Sequence, residues 1–311
     1  MTAETTGNVD LTGKVSLVTG ATGGIGGVVA AELARLGSTV VIVARGAAGE
    51  ELRRRIGQDD PDRAEVITAD LATQAGLRKV ADEFTAHHEA LHLLVNNAGA
   101  HYRKRLVNAD GIEMHVAIDH LAGFGLTLLL LDRLRAGAPA RVVNVVSDSM
   151  NDARTVTSHG KPRPVSLDPR DLSDLRSVNA AAGFAPFEAY ARAKLLTTMT
   201  GYLLARQLQG GGITVNAVHP GLTATSLIDD IAHPLMRPFL GLVKRSLLTP
   251  EQGATAVLRL ATAPELDGVT GRYFVGDAEQ RTPAISYDPD LQQRAWDASL
   301  ACTPQPRDRA R

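Results

Sequence analysis

The chain predicts a doubly wound α/β protein, a mostly parallel β-sheet with helices on both faces. Short β-branched runs that are apolar on both pleat faces recur along it, and segments of helical period lie between them. A glycine-rich turn joins the first such run to the first helical segment. Strand alternating with helix gives right-handed βαβ crossovers, and strands buried on both faces read as near-continuous apolar runs.

The first strand is expected at "VSLVT" (15–19) and the second at "TVVIVA" (39–44). Further strands are expected at "EVITA" (65–69), "LHLLVN" (91–96), "RVVNVVS" (141–147) and "GITVNAV" (212–218). Between them, Ile25, Val28, Val29, Leu33 and Leu36 step by three and four, as do Leu77, Val80, Ala81 and Phe84. A third helix is expected over about 188–208, with Leu195, Leu196, Met199, Tyr202 and Leu203 on its apolar side. The irregular segments 150–187 and 222–250 follow strand ends, the edge where open α/β sheets bind ligands, and are the natural substrate walls.

The 311 residues are 44% hydrophobic and 22% charged, ordinary for a globular α/β chain. No internal repeat and no Ser-, Gly- or Pro-rich linker divides them, so one domain over 1–311 is expected. Lys and Arg number 33 against 34 Asp and Glu, so no excess charge points to nucleic acid or an anionic membrane. The single cysteine, Cys302, excludes an internal disulfide, fits a reducing compartment, and reads as an incidental thiol in a polar tail. The polar N-terminus lacks the pattern of a signal peptide, and "LAGFGLTLLLL" (121–131) is too short to span a bilayer. A soluble, cytoplasmic protein is the expectation.

"TGATGGIGG" (19–27) lies between the first strand and the first helix, with Gly20, Gly24 and Gly26 spaced G-x-x-x-G-x-G. Glycine permits the tight turn and lets backbone N–H groups approach a pyrophosphate at the helix N-terminus. At the end of the second strand, where folds that prefer NAD usually carry an acidic residue for the ribose, stands Arg45. A guanidinium suits the 2′-phosphate of NADP instead.

In "EAYARAK" (188–194), Tyr190 and Lys194 share a helix face, where the cation would stabilise a tyrosinate. Five Tyr and six Lys allow such a pair by accident, so its meaning depends on what lies beside it. His87, His88 and His92 match no ligand pattern, and no metal is expected. "HYRKR" (101–105) reads as a solvated basic loop at the cleft rim.

Together "TGATGGIG", "NNAG" (96–99), "VVNVVS" (142–147), "YARAK" (190–194) and "HPG" (219–221) resemble the short-chain dehydrogenase/reductase family, over about 13–275. The stretches 111–130, 211–227 and 249–274 resemble its retinol dehydrogenase-like branch, which prefers NADP(H). The resemblance implies a Rossmann-type fold and hydride transfer between nicotinamide and a ketone or secondary alcohol. It implies NADP(H) in preference to NAD(H), an apolar small-molecule substrate, and a homodimer or homotetramer through the helices near 112–135 and 190–208.

The resemblance also implies site residues. Gly20, Thr22, Gly24, Ile25 and Gly26 correspond to the pyrophosphate loop, and Arg45, Asp70 and Leu71 to the adenosine end. Asn97, Ala98 and Gly99 correspond to the segment supporting the ribose, and Pro220, Gly221, Thr223 and Thr225 to the nicotinamide carboxamide site. Ser147 corresponds to the catalytic serine, Tyr190 to the general acid/base, and Lys194 to its partner, which also grips the nicotinamide ribose. "LMRPFLGLVKRSLL" (235–248) corresponds to the substrate lid.

Asp119 is a departure, since the branch has the tetrad asparagine at this position. Ionised, Asp119 would pair with Lys194 and weaken its effect on Tyr190; protonated by burial, it would imitate the amide in part. The competing expectation is a degenerate site that binds NADP(H) as a regulator. A methyltransferase on the same sheet would need neither "NNAG" nor Tyr-x-x-x-Lys, and a structural scaffold would need neither constellation. The role of the 276–311 tail is not legible.

Overall fold

The computed structural model describes residues 9–58, 60–154, 162–224 and 247–305. Eight strands form one sheet: β1 (Val15–Thr19), β2 (Thr39–Ala44), β3 (Ala64–Thr68), β4 (Leu93–Asn96), β5 (Ala140–Val145), β6 (Ile213–His219), β7 (Tyr273–Val275) and β8 (Ala278–Gln280). Their order is β3-β2-β1-β4-β5-β6-β7-β8, parallel as far as β7, with β8 antiparallel to it. This is a Rossmann-type doubly wound sheet. Its order reverses between β1 and β4, opening a crevice at their carboxyl ends.

The expected strands match the observed ones to within two residues. The exceptions are β7 and β8, three residues each and too short to show a pattern. The central strands are sealed on both faces, and Leu17, Val41, Leu94 and Val142 are almost wholly buried.

Among the described residues the helices are α1 (Gly24–Arg35), α2 (Ala48–Ile56), α3 (Gln74–His87), α4, α5 (Leu131–Ala136), α6 (Pro186–Gln207), α7 (Pro250–Thr262) and α8 (Pro289–Ala301). Here α4 is the continuous run of Met114–Val116, a π turn at Ala117–Leu121, and Ala122–Leu129. Leu33 of α1, Leu52 of α2 and Val257 of α7 join the core on one face of the sheet. Phe84 of α3, Leu126 of α4 and Leu204 of α6 join it on the other. No helix among the described residues is long and apolar enough to cross a membrane.

The polar tail forms α8, capped by Asp288, with Trp296 edge-on to Phe124 at a centroid distance of 4.9 Å. Cys302 at its end is buried. His120 of α4 reaches Ser299 of α8 through Nε2 at 2.8 Å and Thr197 of α6 through Nδ1 at 3.2 Å. A buried polar bridge therefore registers α8 against both helices.

Candidate active site

The glycine loop is built against "NNAG". Asn97 Nδ2 donates to the carbonyls of Thr19 and Gly20 at 2.9 and 3.1 Å, and the N–H groups of Asn97 and Ala98 both donate to Thr19 Oγ1. A Cβ on Gly26 would stand 2.4 Å from Asn97 Nδ2, and one on Gly20 would stand 2.8 Å from Ala98 Cα. Gly20 and Gly24 have φ of 65° and 53°, which L side chains rarely adopt. α1 then opens at Gly24 with unpaired N–H groups and no acidic side chain in its first turn, a ready anion site. Thr22 is exposed at the loop rim, while Ile25 is buried beside Gly253 of α7.

At the far end of the crevice, Arg45, Gly46, Thr68, Asp70, Gly76 and Lys79 line an open hollow of about 520 Å³. Arg45 is exposed just past β2. Asp70 accepts from the Ala72 N–H at 3.0 Å and is itself exposed, whereas the Leu71 side chain belongs to the core. Lys79 brings a second cation to this hollow. Sequence reading missed it because its place on α3, eleven residues past the end of β3, becomes meaningful only once the sheet is assembled and Lys79 Nζ reaches Thr68 O. The close-packed glycine loop, the helix N-terminus and the cationic hollow fit a nicotinamide dinucleotide.

Ser147, Tyr190, Lys194 and Asp119 converge at the carboxyl ends of β4 and β5. Ser147 stands two residues past β5, near enough to the Tyr190 phenol to favour its ionised form. Lys194 stands one turn along α6, with Nζ 5.5 Å from the Tyr190 ring centre, and donates to Val145 O at 3.1 Å. Burial pushes the Tyr190 phenol up; the Asp119 carboxylate pushes it further, and the neighbouring Ser147 hydroxyl opposes both.

Asp119 occupies the π turn of α4, a helix irregularity common at functional sites. Its Oδ1 lies 3.2 Å from Lys194 Nζ and accepts the Ala100 N–H at 3.2 Å. Oδ2 is buried without a hydrogen-bond partner among the described residues. Burial raises the Asp119 pKa, and the neighbouring Lys194 only partly offsets this. Gly99 permits the approach, since a Cβ there would stand 2.8 Å from Asp119 Oδ1. Thr19, Asn96, Asp119, Lys194 and Thr197 adjoin a cavity of about 10 Å³, near the least that holds one water.

Pro220 and Gly221 follow β6, and Gly221 has φ of 89°. A Cβ on Gly253 would meet Thr223 Oγ1 at 2.6 Å and Ile25 Cδ1 at 3.1 Å, so this segment closes against the glycine loop. Thr225 and residues 235–246 of the expected lid lie outside the described residues, as do residues 155–161 of the first wall.

One expectation about a charged loop changes. His101 is not part of a solvated loop. It is buried, with its ring edge-on to Tyr190 at a centroid distance of 6.2 Å. The chain turns inward directly after Gly99 and buries the first side chain of the basic run. His88 pairs with Glu65, and His92 accepts the Val15 N–H. Among the described residues no three His, Cys, Asp or Glu side chains are placed to hold a metal ion.

Residues 14–159 match the short chain dehydrogenase family model, and residues 172–278 match the enoyl-(acyl carrier protein) reductase model. The chain is 38% identical to a polyprenol dehydrogenase of Mus musculus, over 94% of this chain and 84% of that protein. It is 35% identical to retinol dehydrogenase 12 of Homo sapiens, over 94% of this chain and 87% of that protein. Among solved structures, an uncharacterized protein of Mycobacterium paratuberculosis superposes with a TM-score of 0.72 at 25% identity, covering 98% of each chain. The L-sorbose reductase of Gluconobacter frateurii, complexed with NADPH, shares the fold with a TM-score of 0.63 at 20% identity, covering 86% of this chain and 95% of that one. The chain belongs to the short-chain dehydrogenase/reductase family, in its retinol dehydrogenase-like branch, and is an oxidoreductase acting on CH–OH groups.

Proposed function

We propose that the protein is an NADP(H)-dependent dehydrogenase/reductase interconverting a ketone and a secondary alcohol on an apolar small molecule. The observation that carries this is the buried Tyr190 phenol, beside Ser147 and one helical turn from Lys194, at the strand ends that bound the glycine-built crevice. The nicotinamide, when bound, supplies or accepts the hydride. Tyr190 donates a proton to the oxygen that becomes the alkoxide, and its phenolate removes one in the reverse direction. Ser147 donates to the same oxygen and stabilises the charge growing on it. Lys194, held by Val145 O, favours the phenolate by its charge.

NADP(H) is favoured over NAD(H) by the pairing of Arg45 with Lys79 around one hollow, since two cations suit a 2′-phosphate. Exposed Leu222 and Leu248 beside the Pro220–Gly221 turn, and Phe187 next to Tyr190, support an apolar substrate. Relatives named for polyprenol and retinol point the same way.

The Asp119–Lys194 ion pair favours a second reading, an NADP(H)-binding regulator in which Lys194 is neutralised and turnover lost. One experiment separates the two. NADPH and NADH are titrated against wild type and Arg45→Ala/Lys79→Ala, and wild type is then assayed with long-chain and isoprenoid carbonyls. Preferential NADPH binding, lost in the double variant, together with turnover supports the enzyme. Binding without turnover supports the regulator. Preference for NADH overturns the cofactor assignment.

A further inference from the structure

Beside Tyr190 lies a polar cluster that the proposed reaction leaves unused. The side chains of Glu113 and His115 are wholly buried, and Asn179 is 5% exposed. A buried carboxylate is costly unless its oxygens are met by donors. Here Glu113 Oε1 accepts from His115 Nδ1 at 2.8 Å and from the His115 N–H at 3.1 Å. Oε2 accepts from Asn179 Nδ2 at 2.8 Å and from the Val116 N–H at 3.4 Å. His115 Nε2 accepts the Tyr102 N–H at 3.0 Å. An imidazole nitrogen that accepts a backbone N–H carries no proton, so this network assigns the proton to Nδ1 and makes His115 a neutral donor to Glu113.

Capping α4 would need only the two backbone N–H groups. The rest of the network reaches elsewhere. Asn179 Nδ2 also donates to the carbonyl of Ala189, the residue before Tyr190, at 3.2 Å. Asn179 Oδ1 accepts from Arg192 at 3.2 Å, and its backbone carbonyl accepts from Arg105 at 2.8 Å. Asn179 is the one non-glycine with positive φ among the described residues, at 60°. Such a conformation persists where surrounding contacts over-determine it. The His115 ring meets Tyr190 edge-on at a centroid distance of 6.3 Å.

We infer that Glu113, His115 and Asn179 are positioning residues for Tyr190. They lock the first turn of α6 to the segment after "NNAG" and so set the phenol relative to Ser147. The inference rests on Tyr190 as the proton donor, and its test includes a readout that needs no turnover. The protein is labelled with 13Cζ-tyrosine; the chain has five Tyr, and the Tyr190 resonance is the one lost in Tyr190→Phe. Glu113→Gln exchanges one acceptor oxygen for a donor. Asn179→Gly, the second variant, keeps the positive-φ backbone without strain, removes the amide and leaves Glu113 ionisable as in wild type.

Both variants are expected to move the Tyr190 resonance and lower kcat by about ten-fold or more, with the KM for NADPH within about two-fold, as misplacement of a reacting group does. An unmoved resonance in a folded variant, or an unchanged kcat in an enzyme that turns over, overturns the inference. A moved resonance in a protein that reduces no carbonyl overturns the proposed reaction and leaves the positioning role standing.

Discussion

Asp119 Oδ1 lies 3.2 Å from Lys194 Nζ in a contact almost closed to solvent, so the cation that would act on Tyr190 has a carboxylate beside it. Whenever Asp119 is ionised, its charge raises the cost of forming the Tyr190 phenolate. Asp119→Asn removes that charge and restores an amide donor. In the oxidation direction, where the phenolate is the base, the rising limb of the pH–rate profile is expected to move to lower pH, with higher kcat near neutrality. A profile and kcat that stay in place would sink this account of Asp119.

Tyr190→Phe removes the proton donor but leaves the glycine loop and Lys194 intact. Carbonyl reduction is expected to fall by roughly 10²–10⁴-fold, the usual contribution of a positioned acid. NADPH affinity, read by fluorescence titration, is expected to stay within a few-fold of wild type.

Gly26→Ala places a methyl 2.6 Å from the carbonyl of Gly20 and against Asn97 Nδ2. Because one of those neighbours is backbone, the loop itself must shift, at a cost of about 1–3 kcal/mol. NADPH titration is expected to show at least a ten-fold loss of affinity, and urea unfolding a lower midpoint.

Burial, with a smaller contribution from the Lys194 charge, holds the His120 pKa down to about 3. In the unfolded chain the same imidazole titrates near 6.5. Stability from the neutral side chain is therefore complete above about pH 6.5 and is lost as the pH falls toward about 3. Between pH 7 and pH 5 the unfolding free energy of wild type is expected to drop by roughly 2 kcal/mol more than that of His120→Gln. Urea melts at the two pH values measure this, and equal drops would show that His120 is not the group responsible.

The central strands were legible because strands sealed on both faces must be continuously apolar, and six such runs stand out. The glycine loop was legible because its steric demand falls on consecutive residues, as was the Tyr190–Lys194 pair, set by helical spacing. Other features left weaker signals. β7 and β8 are too short to carry a period. In α8 the apolar positions Leu291, Ala295, Trp296 and Ala298 are diluted by Asp, Gln and Arg facing out. Only Asp288 followed by Pro289, a helix-start signal, could have marked it.

By itself the sequence determined the fold class, the family, and the presence of Ser147, Tyr190 and Lys194, since each depends on residue type at local or motif spacing. The tertiary structure decided that the expected Asp119–Lys194 contact is closed to solvent, and it alone that Lys79 joins Arg45 and that Glu113, His115 and Asn179 meet beside Tyr190. Those partners lie from 34 to 75 residues apart along the chain, apart from the Glu113–His115 contact. Such meetings depend on which strand ends and helix faces the sheet brings together, and the burial that makes them consequential exists only once the layers have closed.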